Sequence, residues 1–258
     1  MVPGYPRRGK ILHATRSSCR TAVATFAHPW YRRVLSRALP GPRRPDGTTM
    51  ERDAKDRAYW NRHARNYDRS MMLFGRPVAR MIELAAQAVR GSSRVLEVAA
   101  GTGLLTPALA REAREVIATD YAVAMVSAVA ARVRAAGLAN VRCEQADLYD
   151  LPYDAGSFDA VVAANVLHLV PDLEGALAAF RKMLKPGGRL VVPTYCHDAS
   201  ALAWVFSRIL ALTGFPGHRR FTPGRLRETL ESAGLAITQA ETLPGLFPIA
   251  YLEGTFAA

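Results

Sequence analysis

Cysteine is scarce in this chain: Cys19, Cys143 and Cys196 are the only three in 258 residues, and they stand far apart. That excludes a disulfide scaffold and a thiolate metal site, and reduced thiols in a cytoplasmic protein are the expectation. The six histidines show neither paired helical spacing nor a neighbouring cysteine, so no metal is expected. Long apolar runs are missing as well. The most apolar stretch, Ala199 to Leu212, falls short of the ~20 residues of a bilayer span and is broken by Arg208. Acid is nearly absent from residues 1–49, where ten Lys and Arg face Asp46 alone, net +9, so the rest of the chain carries 12 − 9 = +3. This segment is also rich in Pro and Gly, as in M-V-P-G-Y-P-R-R-G-K, and reads as a disordered basic extension. Three readings of it stay open: a wrongly chosen start codon with Met50 as the true beginning, a basic arm touching nucleic acid or anionic membrane, and an organelle transit segment. No uninterrupted apolar core follows its charges, so a secretory signal is not expected.

What is present is a regular alternation of strand and helix patterns from Met50 to Ala258. Val95 to Val98, Glu115 to Thr119, Val141 to Ala146, Phe158 to Ala163 and Arg189 to Thr194 have the apolar, β-branched character of buried strands, with helical stretches Thr106 to Ala113 and Val123 to Ala136 between the first three. Short β-then-α connections imply a parallel, doubly wound sheet with its ligand over the carboxyl ends of the strands. Pro186, Gly187 and Gly188 signal a structural turn before the fifth strand. Later come a helical run from Ala199 to Thr213, a helix from about Pro223 to Ala233, and two apolar runs, Leu235 to Leu243 and Phe247 to Glu253.

The most informative segment is V-L-E-V-A-A-G-T-G, Val95 to Gly103. An apolar strand with an internal acid enters a Gly-x-Gly turn, where Gly101 and Gly103 permit positive φ and remove side chains that would block a ligand. A helix from Thr106 turns its free N–H groups to the same crevice. A dinucleotide fingerprint would place a third glycine where Thr106 stands, and that glycine serves close packing under a pyrophosphate.

This strand, turn and helix resembles the first motif of the class I S-adenosylmethionine-dependent methyltransferases, over roughly Tyr59 to Glu253. The family form has an acid followed by Gly-x-Gly-x-Gly; here Glu97 is followed by Ala99, Gly101 and Gly103, so Ala99 departs from it at the first glycine. The resemblance implies a seven-stranded Rossmann-like sheet, mostly parallel, closed by an antiparallel C-terminal strand. It also implies S-adenosylmethionine as cofactor. Asp120, about twenty residues past the glycine turn, suits hydrogen bonds to both ribose hydroxyls, and its alternative is a cap for the following helix. Asp147 and the backbone N–H of Leu148 are implied for adenine, and Tyr121 and Asn165 complete the cofactor set. The leading segment A-Y-W-N-R-H-A-R-N-Y-D carries Tyr59, Trp60, Tyr67 and Asp68 in the pattern of a helix that folds over the cofactor. Tyr59, His63 and Tyr67 share one helical face, and they either roof the pocket or dock the helix on the core.

The family has no universal catalytic residue, because the sulfonium is itself a strong electrophile and placement does most of the work. Candidate bases are His168 and His197, just past strands four and five, with His218 third. Each has packing as its alternative. Ala164-Asn165-Val166-Leu167 replaces the Pro-Pro-aromatic motif of N-methylation, which lowers nucleic acid as a substrate. The Ala199 to Thr213 run, with Leu202, Trp204 and Phe206, is apolar nearly all round and is either buried or meets a lipophilic substrate. The expectation is O- or C-methylation of a small, lipophilic acceptor. The alternatives are a nucleic-acid methyltransferase using the basic arm and a non-catalytic cofactor-binding regulatory or assembly protein.

Overall fold

The computed structural model describes residues 54–64, 76–198, 208, 215 and 217–257. Tyr67, the basic extension 1–49, and Trp204 and Phe206 of the apolar run lie outside the described residues. The described chain runs α1 (54–64), α2 (Arg76–Ala88), β1 (Arg94–Val98), α3 (Thr106–Glu112), β2 (Glu115–Asp120), α4 (Val123–Ala135) and β3 (Val141–Gln145). It continues with β4 (Phe158–Val162), α5 (Leu173–Met183), β5 (Leu184–Val191), β6 (Thr194–Tyr195), α6 (Pro223–Ser232), β7 (Leu235–Leu243) and β8 (Ile249–Phe256).

The strands pair in the order β3-β2-β1-β4-β5-β8-β6, with β7 also on β8. Pairings from β3 through β5 are parallel, and every pairing with β8 is antiparallel. The order runs outward from β1 to β3, then reverses and resumes at β4. The crevice at this reversal opens between the carboxyl ends of β1 and β4, where doubly wound sheets bind ligands.

Burial of both faces makes the central strands continuous apolar runs, and alternate side chains feed opposite cores. Val95, Val116, Ala160 and Val191 pack with Met81 and Leu84 of α2 and Leu109 of α3. Leu96, Ile117, Val161 and Leu190 pack with Phe180 of α5 and Leu226 and Leu230 of α6. Each such side chain stabilises the fold by about 1.5–3 kcal/mol through burial. Thr222 caps α6 by accepting from the Arg225 N–H at 3.2 Å, and Asp172 caps α5 by accepting from the Gly175 N–H at 2.9 Å.

Three sequence expectations need correction. The sheet has eight strands where seven are expected. The eighth, β6, pairs with β8 beyond β5, and Pro193 stands between them with no N–H to continue the ladder. The Pro186-Gly187-Gly188 turn lies inside β5 and does not precede it: Phe158 pairs with Leu184 but Ala160 pairs with Arg189, so the intervening residues bulge out. Gly187 supplies a φ of 72°, and Lys185 anchors the bulge on Asp159 at 2.6 Å. The last strand also runs later than the sequence pattern places it, because Pro248 precedes its first paired residue, Ile249.

Candidate functional site

The cleft at the reversal is built by four loops and a roof. Ala99 and Gly101 follow β1, Asp120 and Tyr121 end β2, and Asp147 and Leu148 follow β3. Asn165, Val166, Leu169, Val170 and Pro171 follow β4, the last four forming the apolar side, while Asp56 and Trp60 of α1 reach over the opening. The cleft encloses about 940 Å³ of empty space, counting the part that is open to solvent. A second recess, lined by Glu97, Ala99, Asn165, Met81 and Tyr195, continues beneath the loop.

Asp120 cross-links this site. Its carboxylate accepts from the Gly101 N–H and from the Ala122 N–H, both at 2.9 Å. It is 5 % exposed, and burial pushes it up to about 6 against those N–H groups. Glu97 is 2 % exposed and accepts from the Thr106 hydroxyl at 2.6 Å. Burial pushes it up to about 7; that hydroxyl and Arg132 oppose the rise and the charge of Asp120 adds to it. Two carboxylates raised by burial in one crevice make it a candidate functional site. Asp147 accepts from the Tyr149 N–H at 3.0 Å and holds its own loop closed.

Two non-glycine residues here have left-handed backbones, Ala99 (φ 51°) and Asn165 (φ 54°). Ala99 occupies the conformation that a glycine adopts freely, at a cost of about 1–2 kcal/mol. Asn165 is held by its N–H on the Pro193 carbonyl at 2.7 Å, its amide touches the Met81 sulfur at 3.6 Å, and its Oδ1 is buried with no partner among the described residues. Gly103 lies apart from the cleft lining. A Cβ there would come within 2.5 Å of Val129 Cγ2, and its φ is 77°, so this glycine lets α4 pack against the loop.

The roof is fastened on both sides of the cleft. On one side Asn61 Oδ1 accepts from the Ala124 N–H at 3.0 Å, and Arg57 lies over the Tyr121 ring at 5.6 Å. On the other, Asp56 meets His218 Nε2 at 3.1 Å, while Tyr59 and Trp60 meet the Phe215 ring edge-on at 6.2 and 6.0 Å. Tyr59 and His63 share a face as the four-residue spacing requires, stacked at 3.9 Å.

His168 and His197 come together at 5.2 Å between ring centroids. Phe247 lies 4.7 Å from His197, Phe215 6.3 Å from each ring, and Tyr195 6.5 Å from His168. Burial drives the His168 imidazole well below its ordinary range, with the charge of His197 adding to this, and burial with Arg220 lowers His197 to about 4. Nδ1 of His168 and both ring nitrogens of His197 have no hydrogen-bond partner among the described residues. Each such buried orphan costs about 1–3 kcal/mol. His218, the third candidate, is removed from this cage. Its ring faces Asp56, and its backbone N–H donates to the His168 carbonyl at 2.9 Å.

Sequence reasoning did not find Asp56, Met125 or Tyr149 at the cleft, nor Phe215 and Phe247 beside the histidines. None of these lies in a spacing pattern; only the fold gathers them.

A methyltransferase-domain family model matches residues 96–192. The nocamycin O-methyltransferase of Saccharothrix syringae is 32% identical over 199 residues, which cover 68% of this chain and 70% of that one. The chain belongs to the class I S-adenosylmethionine-dependent methyltransferases. A ubiquinone/menaquinone biosynthesis C-methyltransferase of Idiomarina loihiensis is 37% identical over 117 residues, 44% of this methyltransferase and 47% of that relative. The methyltransferase thus spans about half the length of several curated relatives that it matches. The solved structure of an S-adenosylmethionine-dependent methyltransferase from Aquifex aeolicus superposes with a TM-score of 0.56 at 18% identity, over 71% of this chain and 91% of that one, and shows the shared fold. The cofactor of this family is S-adenosylmethionine. The crevice fits it: Gly101 presents no side chain, Asp120 accepts two donors at the rim, and the orphaned Asn165 Oδ1 offers an acceptor. Among the described residues no group of three or more His, Cys, Asp or Glu is placed to hold a metal, and no helix is long and apolar enough to cross a membrane.

Proposed function

We propose that this methyltransferase moves a methyl group from S-adenosylmethionine to a small, lipophilic acceptor, at oxygen or carbon. The observation that carries this reading is a single cleft lined both by the Asp120 carboxylate, held on the Gly101 N–H at 2.9 Å, and by the apolar Leu169, Val170 and Pro171. One end is polar and suits a nucleoside; the other is apolar and suits a greasy acceptor. The relatives' names agree, since one is a C-methyltransferase of quinone biosynthesis and another methylates oxygen.

When bound, S-adenosylmethionine would supply an electrophilic methyl: the acceptor's electron pair would form the new bond as the carbon–sulfur pair stayed on sulfur, giving S-adenosylhomocysteine, and the proton that the acceptor loses would pass to solvent after the transfer. The chain's residues place the partners. Asp120 accepts from the ribose hydroxyls, with Tyr121 beside it, and Asp147 and the Leu148 N–H hold the adenine edge. Glu97, Ala99, Gly101 and Asn165 surround the amino-acid end, while Gly103 acts through its packing on Val129. The roof formed by α1 would exclude water from the transfer. His168 and His197 stand on the acceptor side. The reaction is placed in the reducing cytoplasm, in keeping with Cys143 and Cys196 as free thiols, both pushed up to about 11 by burial.

The test is methyl transfer from labelled S-adenosylmethionine to a panel of phenols, hydroquinones and enolic diketones, with RNA and protein as further acceptors. Label in the organic extract is expected. Label confined to RNA or protein, or none with any acceptor from a folded chain, contradicts the reading.

A further inference from the structure

The buried imidazole pair is unexplained by cofactor binding. His168 and His197 are 2 % and 6 % exposed, yet three of their four ring nitrogens lack partners among the described residues. Buried polar groups in folded proteins are almost always paired, so an orphaned set beside a binding cleft is a site that waits for a ligand group. Neither imidazole lines the cleft itself, and the cage borders it through two shared neighbours. Phe215 meets both imidazoles and also Trp60, which lines the cleft, and Tyr195 borders both His168 and the second recess.

We propose that His168 and His197 form the polar end of the acceptor subsite and hold a flat ring carrying a neutral hydroxyl group, that is, a phenol or a ring enol. This rests on the methyl-transfer reading of the cleft and adds to it the chemistry of the acceptor. The ring is specified by the walls: Tyr195, Phe215 and Phe247 offer aromatic faces and edges, which pair with another ring. The hydroxyl is specified by the nitrogens. A neutral imidazole has one N–H donor and one bare acceptor nitrogen, and a hydroxyl is the neutral single-atom group that both donates and accepts. Charge is disfavoured because the charged groups that reach His197, Arg220 and Asp198, act on it in opposite senses. A carboxylate there would also meet the like charge of Asp198, and an ammonium that of Arg220, on top of its desolvation cost. Asp198 Oδ1 is also buried without a partner among the described residues, which makes an ammonium the alternative that the test must separate. The imidazoles in this role orient the hydroxyl and do not ionise it, since burial keeps them neutral and weakly basic.

The experiment uses the full chain saturated with S-adenosylhomocysteine and four probes of one shape: 1-naphthol, naphthalene, 1-naphthoate and 1-naphthylmethylammonium. Calorimetric titration is expected to show 1-naphthol binding at least tenfold more tightly than any of the other three. His168→Leu and His197→Leu are each expected to weaken 1-naphthol at least tenfold, leave S-adenosylhomocysteine affinity unchanged and raise the melting temperature, because each removes an orphaned polar group. The last result distinguishes a ligand-holding imidazole from a structural one. The proposal is overturned if naphthalene or either charged probe matches 1-naphthol, if a folded variant keeps native affinity for 1-naphthol, or if neither variant folds. Loss of S-adenosylhomocysteine binding by the native chain would instead overturn the cofactor reading on which the proposal rests.

Discussion

Ala99 and Glu97 show how single residues are held away from their comfortable states at this site. Ala99 has a φ of 51°, where its methyl group crowds the backbone. Ala99→Gly is therefore expected to stabilise the ligand-free chain by about 1 kcal/mol, read as a rise of about 2–4 °C in melting temperature. An unchanged or lower melting temperature would mean that the methyl group packs usefully. Glu97 carries a sign that can be checked against pH. Its folded value is pushed up from 4.5 to about 7, so the folded chain holds a proton that the unfolded chain releases. Its contribution to stability is complete below about pH 4.5 and is lost as pH rises through 7. Asp120, raised from 3.8 to about 6, behaves likewise. The buried histidines, lowered from 6.5, act in the opposite sense, because the unfolded chain takes up their protons as pH falls. The readout is thus the difference between the native chain and Glu97→Gln in urea unfolding. Between pH 4.5 and 7 the native chain should lose stability relative to the variant, and a relative gain would show that the carboxylate is not desolvated. The sequence made Glu97 and Asp120 visible through their spacing from the glycine turn. It gave no sign of the strain at Ala99, because a left-handed φ is a property of the backbone path.

Elements, not residues, explain Gly103 and α1. Gly103 carries the mark of a ligand-loop glycine in sequence, but its missing side chain makes room for Val129 of α4. Gly103→Ala should destabilise the chain by about 2–4 kcal/mol, from a positive φ together with overpacking. Val129→Ala in the same chain should recover part of the loss, and an unaltered melting temperature in Gly103→Ala would contradict the packing role. The sequence could not separate these roles because the α4 contact spans the turn and a helix some 26 residues on. For α1, helical spacing alone brought Tyr59 and His63 to one face, as the structure has them. The Asp56–His218 contact, by contrast, joins residues 162 apart and leaves no local pattern. If this contact holds the roof closed, Asp56→Asn and His218→Gln should each speed S-adenosylhomocysteine dissociation by about two- to fivefold, the worth of a pair contributing up to about 1 kcal/mol. The double variant should be no faster than either single one. Additive effects in stopped-flow measurements would show that the two residues act separately.

At the scale of the molecule, periodicity and order carried most of the fold. Apolar runs at Val95, Val116 and Val161 put parallel strands in a buried sheet, and the glycine turn and later acids fell at their carboxyl ends because that is where a doubly wound chain leaves the sheet. What stayed hidden depended on interruptions of pairing: Pro193 splits the strand edge into β5 and β6, and the bulge after Leu184 lets a Pro-Gly-Gly turn sit within a strand. The histidine cage was half legible. His168 and His197 follow β4 and β5 and were visible as candidates, but Phe215 and Phe247 reach them from distant segments. The central claim is that the crevice between β1 and β4 holds the cofactor by way of Asp120. It is tested most directly by calorimetric titration of S-adenosylhomocysteine into the native chain and Asp120→Ala, with melting curves to confirm that both are folded. The account expects saturable one-to-one binding by the native chain, weakened roughly 10–100-fold in the variant by loss of about 1.5–3 kcal/mol of charge-assisted hydrogen bonding. Equal affinity in the two folded chains, or no binding by the native one, would contradict it.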